Sequence, residues 1–163
     1  MTDQVLFLCT GNTCRSPLAE VMARSLCGGT RVIFGSVGLE AKPGCPASRE
    51  SVAEAAGRGL DLSGHRSRPV TANLLQQTAW VIGMTRSHAA IFRSRYGAQF
   101  DGKIGILGLP GHDLSAGGFS PEAEEIDDPY GAGPTHYAAA AVQIERLLHR
   151  WRDVFMNPEG LAP

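Results

Sequence analysis

The sequence predicts an α/β fold: one domain in three layers, a doubly wound sheet of about four parallel strands with helices on both faces. Three observations point there. Short apolar runs at 5–8, 31–34, 79–84 and 103–107 alternate with stretches of helical periodicity, and strands alternating with helices build parallel βαβ units. The chain has 163 residues, 43% of them hydrophobic, and shows no internal repeat, which suits a single domain over 1–163 with a substantial core. The first apolar run ends in a polar loop followed by Ser16-Pro17. A polar loop therefore sits at the carboxyl end of a strand, where sheets of this kind bind ligands.

Val5 to Leu8 is too short, and too β-branched and aromatic, for a helix; it reads as a buried strand ending at Cys9. Ser16 is a good N-cap, Pro17 suits a first turn, and Leu18, Val21, Met22 and Leu26 share a face, so a helix is expected over 17–27, stopped by Gly28-Gly29. The second strand, 31–34, runs into Gly35-Ser36-Val37-Gly38, read as a turn. Lys42 to Pro46 is loop chemistry. The spacing of Val52, Ala55, Ala56 and Leu60 gives a helix within 47–59. Thr71 caps a short helix over 72–76. The third strand is 79–84. Residues 87–95 are helical, with Ile91 and Phe92 inward. The fourth strand, 103–107, contains Gly105. Residues 108–134 form a long loop holding Gly117-Gly118, Pro121, an acidic run at 122–125 read as solvated surface, and Asp127-Asp128-Pro129-Tyr130-Gly131. Long loops of this kind are often functional. Thr135 is expected to cap the last helix, whose core stripe is Tyr137, Ala141, Ile144, Leu147, Leu148 and Trp151. The tail from 157 reads as loose.

A net charge of −1 argues against a nucleic-acid footprint. No apolar run has membrane-spanning length and no signal-peptide pattern is present, so no membrane partner is expected and the location is read as cytoplasmic. The four cysteines, at 9, 14, 27 and 45, lack Cys-x2-Cys spacing. No metal site and no cofactor are expected, nor a disulfide framework. The oligomeric state is left open.

The stretch from Cys9 to Ser16 has the makings of an anion cradle. Successive backbone N–H groups and a helix N-terminus supply positive potential, Gly11 lets the backbone approach closely, and Arg15 offers a planar fork to two phosphate oxygens. The phosphate-binding set is Thr10, Gly11, Asn12, Thr13, Cys14, Arg15 and Ser16. Surroundings of this kind favour a thiolate, and a thiolate beneath a tetrahedral oxyanion is placed for in-line attack on phosphorus. The plain alternative is a buried cysteine ending a core strand beside an unrelated turn. The coincidence of strand, glycine, arginine, serine and helix start favours the cradle. Cys14 reads either as a small loop filler or as a redox partner that closes a reversible disulfide on Cys9.

Cys9-Thr10-Gly11-Asn12-Thr13-Cys14-Arg15-Ser16-Pro17, directly after the first strand, resembles the signature of the low-molecular-weight protein tyrosine phosphatases, and the likeness extends over roughly residues 4–150. The resemblance implies a nucleophilic Cys9, a phosphate-holding Arg15, and Asp128 of Asp128-Pro129 as general acid, with Asp127 as fallback. Gly35-Ser36-Val37-Gly38 resembles the family's Ser-Ala-Gly segment, with Val37 in place of alanine, so Ser36 would bond Asn12. His65, ahead of a short basic stretch, would join Asn12, Ser16 and Ser36 as supporting residues. Cys9 would attack phosphorus while Asp128 protonates the leaving group; water would then hydrolyse the phosphocysteine, with the Ser16 hydroxyl easing thiolate departure. The implied partner is a phosphorylated protein.

Substrate choice falls on Thr13, where the family's tyrosine phosphatases usually carry a bulky aliphatic residue, and on Tyr130, a single aromatic where they usually carry two. With Met84-Thr85 in place of Met-Asp, these resemble the bacterial protein-arginine phosphatase branch. Phosphoarginine is therefore favoured over phosphotyrosine. Arsenate reductase is disfavoured because 79–108 contains no further cysteine. A non-catalytic phosphate-binding module is disfavoured because the catalytic groups are all present.

Overall fold

Four parallel strands form the sheet of the computed structural model, which describes residues 3–118 and 122–161. In chain order the elements are β1 (Gln4–Cys9), α1 (Arg15–Leu26), β2 (Ile33–Gly38), α2 (Arg49–Ala56), α3 (Ala72–Leu75), β3 (Thr78–Gly83), α4 (Arg86–Tyr96), β4 (Lys103–Ile106), α5 (Pro134–Met156) and α6 (Pro158–Leu161). The strand order is β2-β1-β3-β4, all pairs parallel. The chain leaves β1 toward one edge and β3 toward the other. The crevice between their carboxyl ends is thus the switch point at which such sheets hold ligands.

Side chains alternate across a strand, and β1 shows it. Val5, Phe7 and Cys9 face the layer of α1 and α5, while Leu6 and Leu8 face the layer of α4. On the first face Trp80 meets Trp151 edge-on at 5.1 Å, and the Trp151 indole N–H donates to the Leu107 carbonyl at 2.8 Å. On the second, Phe92 packs among Leu6, Val81, Ile104 and Ile106. The α5 stripe of Tyr137, Ala141, Ile144, Leu147, Leu148 and Trp151 is buried as its spacing predicts. Among the described residues, no helix is long and apolar enough to cross a membrane.

Several expectations are corrected. Gly35–Gly38 is not a turn but the last four residues of β2; Ser36 and Gly38 lie opposite Phe7 and Cys9 of β1, and small residues belong there because β2 continues beneath the polar loop. Helix α1 begins at Arg15 with Cys14 in the cap position and no side-chain cap; the Ser16 hydroxyl is used elsewhere. Helix α2 begins after Ser48, whose side chain accepts from the Ser51 N–H. Thr85 caps α4, and Ile91 is exposed while Phe92 is buried. Helix α5 starts at Pro134 after Gly133, so Thr135 lies inside it.

The long loop is pinned. Gly108 and Glu124 form an antiparallel bridge, and the Ile126 N–H donates to the Met84 carbonyl at 3.1 Å. A Cβ on Gly108 would fall 1.8 Å from the Glu124 oxygen, so only glycine permits that bridge. The acidic run is held rather than free: Glu124 pairs with Arg146, and Glu125 accepts from the Arg86 backbone N–H at 2.8 Å. Pro121 of this loop lies outside the described residues, as do 162–163 of the tail. The rest of the tail, expected to be loose, forms α6 and buries Leu161 against the core.

Candidate active site

The five residues between β1 and α1 wrap into a loop whose carbonyls point outward. The Cys9 oxygen accepts from the Leu39 N–H at 3.0 Å, Thr10 from Glu40 at 2.9 Å, and Thr13 from Ser48 at 2.9 Å. The Asn12 oxygen accepts from His65 Nε2 at 2.7 Å, and the Cys14 oxygen from Ser51 Oγ at 3.2 Å. In a trans peptide the C=O and the next N–H point opposite ways. Carbonyls turned out therefore turn the N–H groups of Thr10, Gly11, Thr13, Cys14 and Arg15 toward the interior of the loop, an anion-binding nest at a helix N-terminus. Asn12 makes the turn at φ 56, a left-handed conformation that asparagine tolerates.

Cys9 Sγ lies at the floor of the loop, 2% of the residue exposed. The Asn12 backbone N–H donates to it at 3.3 Å, and Ser16 Oγ is 2.9 Å away. Asn12 Nδ2 donates to Ser16 Oγ and to Ser36 Oγ, both at 2.9 Å. Because the Ser16 oxygen accepts from Asn12, its hydrogen is free to donate to the Cys9 sulfur. Asn12 Oδ1 accepts from the Arg68 N–H at 3.0 Å, and Ser36 Oγ donates to Glu20 Oε2 at 2.5 Å. The structure thus brings Asn12, Ser16, Ser36 and His65 into one network behind the loop. It adds Arg68 and Glu20, which sequence reasoning missed. A Cβ on Gly38 would fall 2.6 Å from the Thr10 oxygen and 2.9 Å from the Asn12 nitrogen, so β2 can pass beneath the loop only with glycine there.

Arg15 is 5% exposed. Its Nη1 donates to the Ile126 carbonyl at 2.8 Å, and its Nη2 lies 3.7 Å from Asp128 Oδ2. Its Nε is buried without a partner among the described residues, a donor available to a bound anion. The pinned loop supplies Ile126 as the clamp and Asp128 as the carboxylate. Asp128 Oδ1 accepts from the Tyr130 N–H at 3.1 Å, which fixes the carboxylate over the cradle. The cleft has a volume of about 320 Å³; Asp128 and Tyr130 line it, and Asp127 does not. Its walls include Thr10, Thr13, Cys14, Glu40, Lys42 and Cys45.

Cys14 Sγ meets the Tyr137 hydroxyl at 3.3 Å. Burial first, then the bond to Cys14, pushes the Tyr137 phenol up to about 12, so that hydroxyl stays protonated at neutral pH. All four cysteines are free thiols. His88, also missed, is 6% exposed, with Nε2 3.0 Å from Thr10 Oγ1. Burial and the nearby Arg15 charge lower it from 6.5 to about 4, so it is neutral at pH 7. The signal for His88 was topological: it lies five residues beyond β3, whose carboxyl end adjoins that of β1.

A family model described as low molecular weight phosphotyrosine protein phosphatase matches residues 4–157. The probable low molecular weight protein-tyrosine-phosphatase EpsP of Ralstonia nicotianae is 30% identical over 151 residues, 93% of this chain and 94% of that protein. The protein-arginine-phosphatase of Bacillus subtilis is 30% identical over 148 residues, 90% of this chain and 92% of its own. Among solved structures, a mutant of YwlE arginine phosphatase with a phosphorylated active-site serine matches with a TM-score of 0.83 at 27% identity, covering 98% of this chain and 99% of that one.

Proposed function

The chain belongs to the low molecular weight phosphotyrosine protein phosphatase family, whose members are cysteine-dependent hydrolases, and from that premise we propose that it dephosphorylates protein side chains through a phosphocysteine on Cys9, with phosphoarginine as its preferred substrate. The observation that carries the mechanism is the loop of outward carbonyls around the Cys9 sulfur. The phosphoryl oxygens sit among the inward N–H groups and the Arg15 fork, and the charge that develops on them is held without reorganisation. The Cys9 sulfur forms a bond to phosphorus as the bond to the side-chain nitrogen or oxygen breaks, and Asp128 gives that atom its proton. Water then attacks the phosphocysteine, Asp128 takes its proton, and orthophosphate leaves. The Ser16 hydroxyl stabilises the departing thiolate.

The wall of the cleft supports phosphoarginine. Its lining is largely apolar, but Thr13 and Asp128 set polar groups beside the loop, whereas a phenyl ring is best held between apolar or aromatic faces on both sides. Asp128 suits a guanidinium, which it pairs with before protonating nitrogen. Tyr130, 75% exposed at the rim, favours the second reading, phosphotyrosine, because it offers one ring face. Parallel kcat/KM measurements on phosphoarginine and phosphotyrosine peptides, with Cys9→Ser as control, decide between them. A preference of about tenfold, about 1.4 kcal/mol in the transition state, is expected for phosphoarginine. An equal preference for phosphotyrosine would overturn the substrate assignment, and turnover surviving in Cys9→Ser would overturn the mechanism.

A further inference from the structure

Helix α4 starts at the carboxyl end of β3, across the crevice from the phosphate loop. Thr85 Oγ1 accepts from the His88 backbone N–H at 3.2 Å and sets the first turn. A Cβ on Gly83 would fall 3.0 Å from the His88 Cβ, so the strand end is closed tightly against the helix there. The imidazole is thereby held in a buried slot against Thr10, the residue after Cys9. A buried imidazole is costly, and this one has no partner on Nδ1 among the described residues. An apolar side chain would fill the slot without that cost, so packing alone does not account for a histidine.

The two ring nitrogens settle the tautomer. A buried N–H without an acceptor is rarer and more costly than a buried acceptor without a donor. The proton of the neutral ring therefore sits on Nε2, facing Thr10, and Nδ1 keeps its lone pair. We infer that His88 is a positioning residue: its Nε2–H donates to Thr10 Oγ1, which turns the threonine's own O–H into the cleft as a further donor to the bound phosphoryl group. The inference rests on the phosphatase reading for its purpose, and only on geometry for its hydrogen-bond direction. Arg15, Asp128 and Glu125 are the charged groups whose fields reach the ring. The Arg15 charge supports the neutral form that this role needs.

The test reads binding and tautomer, not turnover. Long-range proton–nitrogen NMR on the wild-type chain, labelled at histidine, is expected to show His88 protonated on Nε2 and bare on Nδ1 at pH 7. A ring protonated on Nδ1, or on both nitrogens, would overturn the inference. Titration calorimetry with inorganic phosphate then compares variants of matched thermal stability. His88→Ala and Thr10→Val are each expected to weaken binding about fivefold, the loss of one hydrogen bond, with the double variant no worse than either. His88→Gln, whose side-chain amide N–H reaches the same place, is expected to stay within about twofold of wild type. Full phosphate affinity in His88→Ala, multiplying effects in the double variant, or a glutamine no better than alanine would each sink the proposal. A protein that binds phosphate in this pattern but hydrolyses nothing would instead overturn the phosphatase reading and leave the role of His88 standing.

Discussion

Asn12 is fully buried and speaks to five partners at once: the Cys9 sulfur, Ser16, Ser36, His65 and the Arg68 backbone. Truncation to Asn12→Ala keeps the backbone bonds to Cys9 and His65 but leaves three polar groups, two of them buried, short of a partner. A stability loss of about 3 kcal/mol is expected from urea unfolding, since each buried unsatisfied group costs about 1–3 kcal/mol and neighbours relax. Asp128 belongs to the same scale. In Asp128→Asn, hydrolysis of phosphoarginine should fall about 100-fold or more, the usual worth of a general acid. Hydrolysis of nitrophenyl phosphate, whose leaving group needs little protonation, should fall much less. An equal fall on both substrates would show that Asp128 acts by charge and not by proton transfer. Cys9 and Arg15 stood out by residue type and spacing, and Asp128 only by the resemblance of Asp128-Pro129 to the family's motif, because the expected chemistry leaves few other side chains to choose from.

Elements supply the geometry those residues need. Strand β2 was half hidden in the sequence: Gly35, Ser36 and Gly38 look like turn residues, yet Ser36 and Gly38 are small because the loop after β1 rests on them, and Gly35 because Leu6 and Arg68 pack against it. Gly38→Ala places a methyl against the Thr10 and Asn12 backbones, which cannot yield as a flexible side chain would. A loss of about 1–3 kcal/mol in stability is expected, together with weaker phosphate binding by calorimetry. Helix α5 gives the contrasting case. Trp151 is fully buried between Trp80 and Phe155, remote from the cleft. Trp151→Ala is expected to cost about 3–5 kcal/mol while kcat below the lowered melting temperature stays near wild type. The α5 stripe was readable because helical spacing is a local pattern. The pinning of 108–126 was not, because Gly108, Glu124 and Ile126 reach partners through backbone groups that every residue carries.

For the molecule as a whole, His88 ties stability to pH. Its folded-state value of about 4 lies below the ordinary 6.5, so between those limits the unfolded chain binds a proton that the folded chain refuses. Stability therefore falls as pH drops from about 6.5 to about 4, by about 3 kcal/mol, and is insensitive to this group above that window. Melting temperature against pH should show this limb, and His88→Gln should flatten it; an unchanged slope would place the acid sensitivity elsewhere. Glu125 and Glu124 act lower. The Arg86 backbone N–H holds Glu125 below the usual carboxylate range, and the Gln143 side chain does the same for Glu124. Their contribution is present above their ordinary values and is lost as pH falls through the lowered ones. As surface contacts they weigh little.

Local rules were enough for the alternation of strands and helices, the polar loop at the carboxyl end of the first strand and the stretch from Cys9 to Ser16. Backbone sterics, apolar period and the reach of adjacent N–H groups all act over a few residues, and neighbours in sequence meet those demands on their own. The clamp on Arg15 and the bond from His88 to Thr10 arise otherwise. They join residues 111 and 78 positions apart, and neither Ile126 nor His88 carries a sequence mark of its role. An isoleucine contributes only its carbonyl, and a lone histidine reads the same on any helix. Such contacts exist because the sheet order sets the ends of β1 and β3 side by side and the loop bridge at Gly108 folds back over them. Their distances, and the protonation states that follow from burial, come into being only when the layers close.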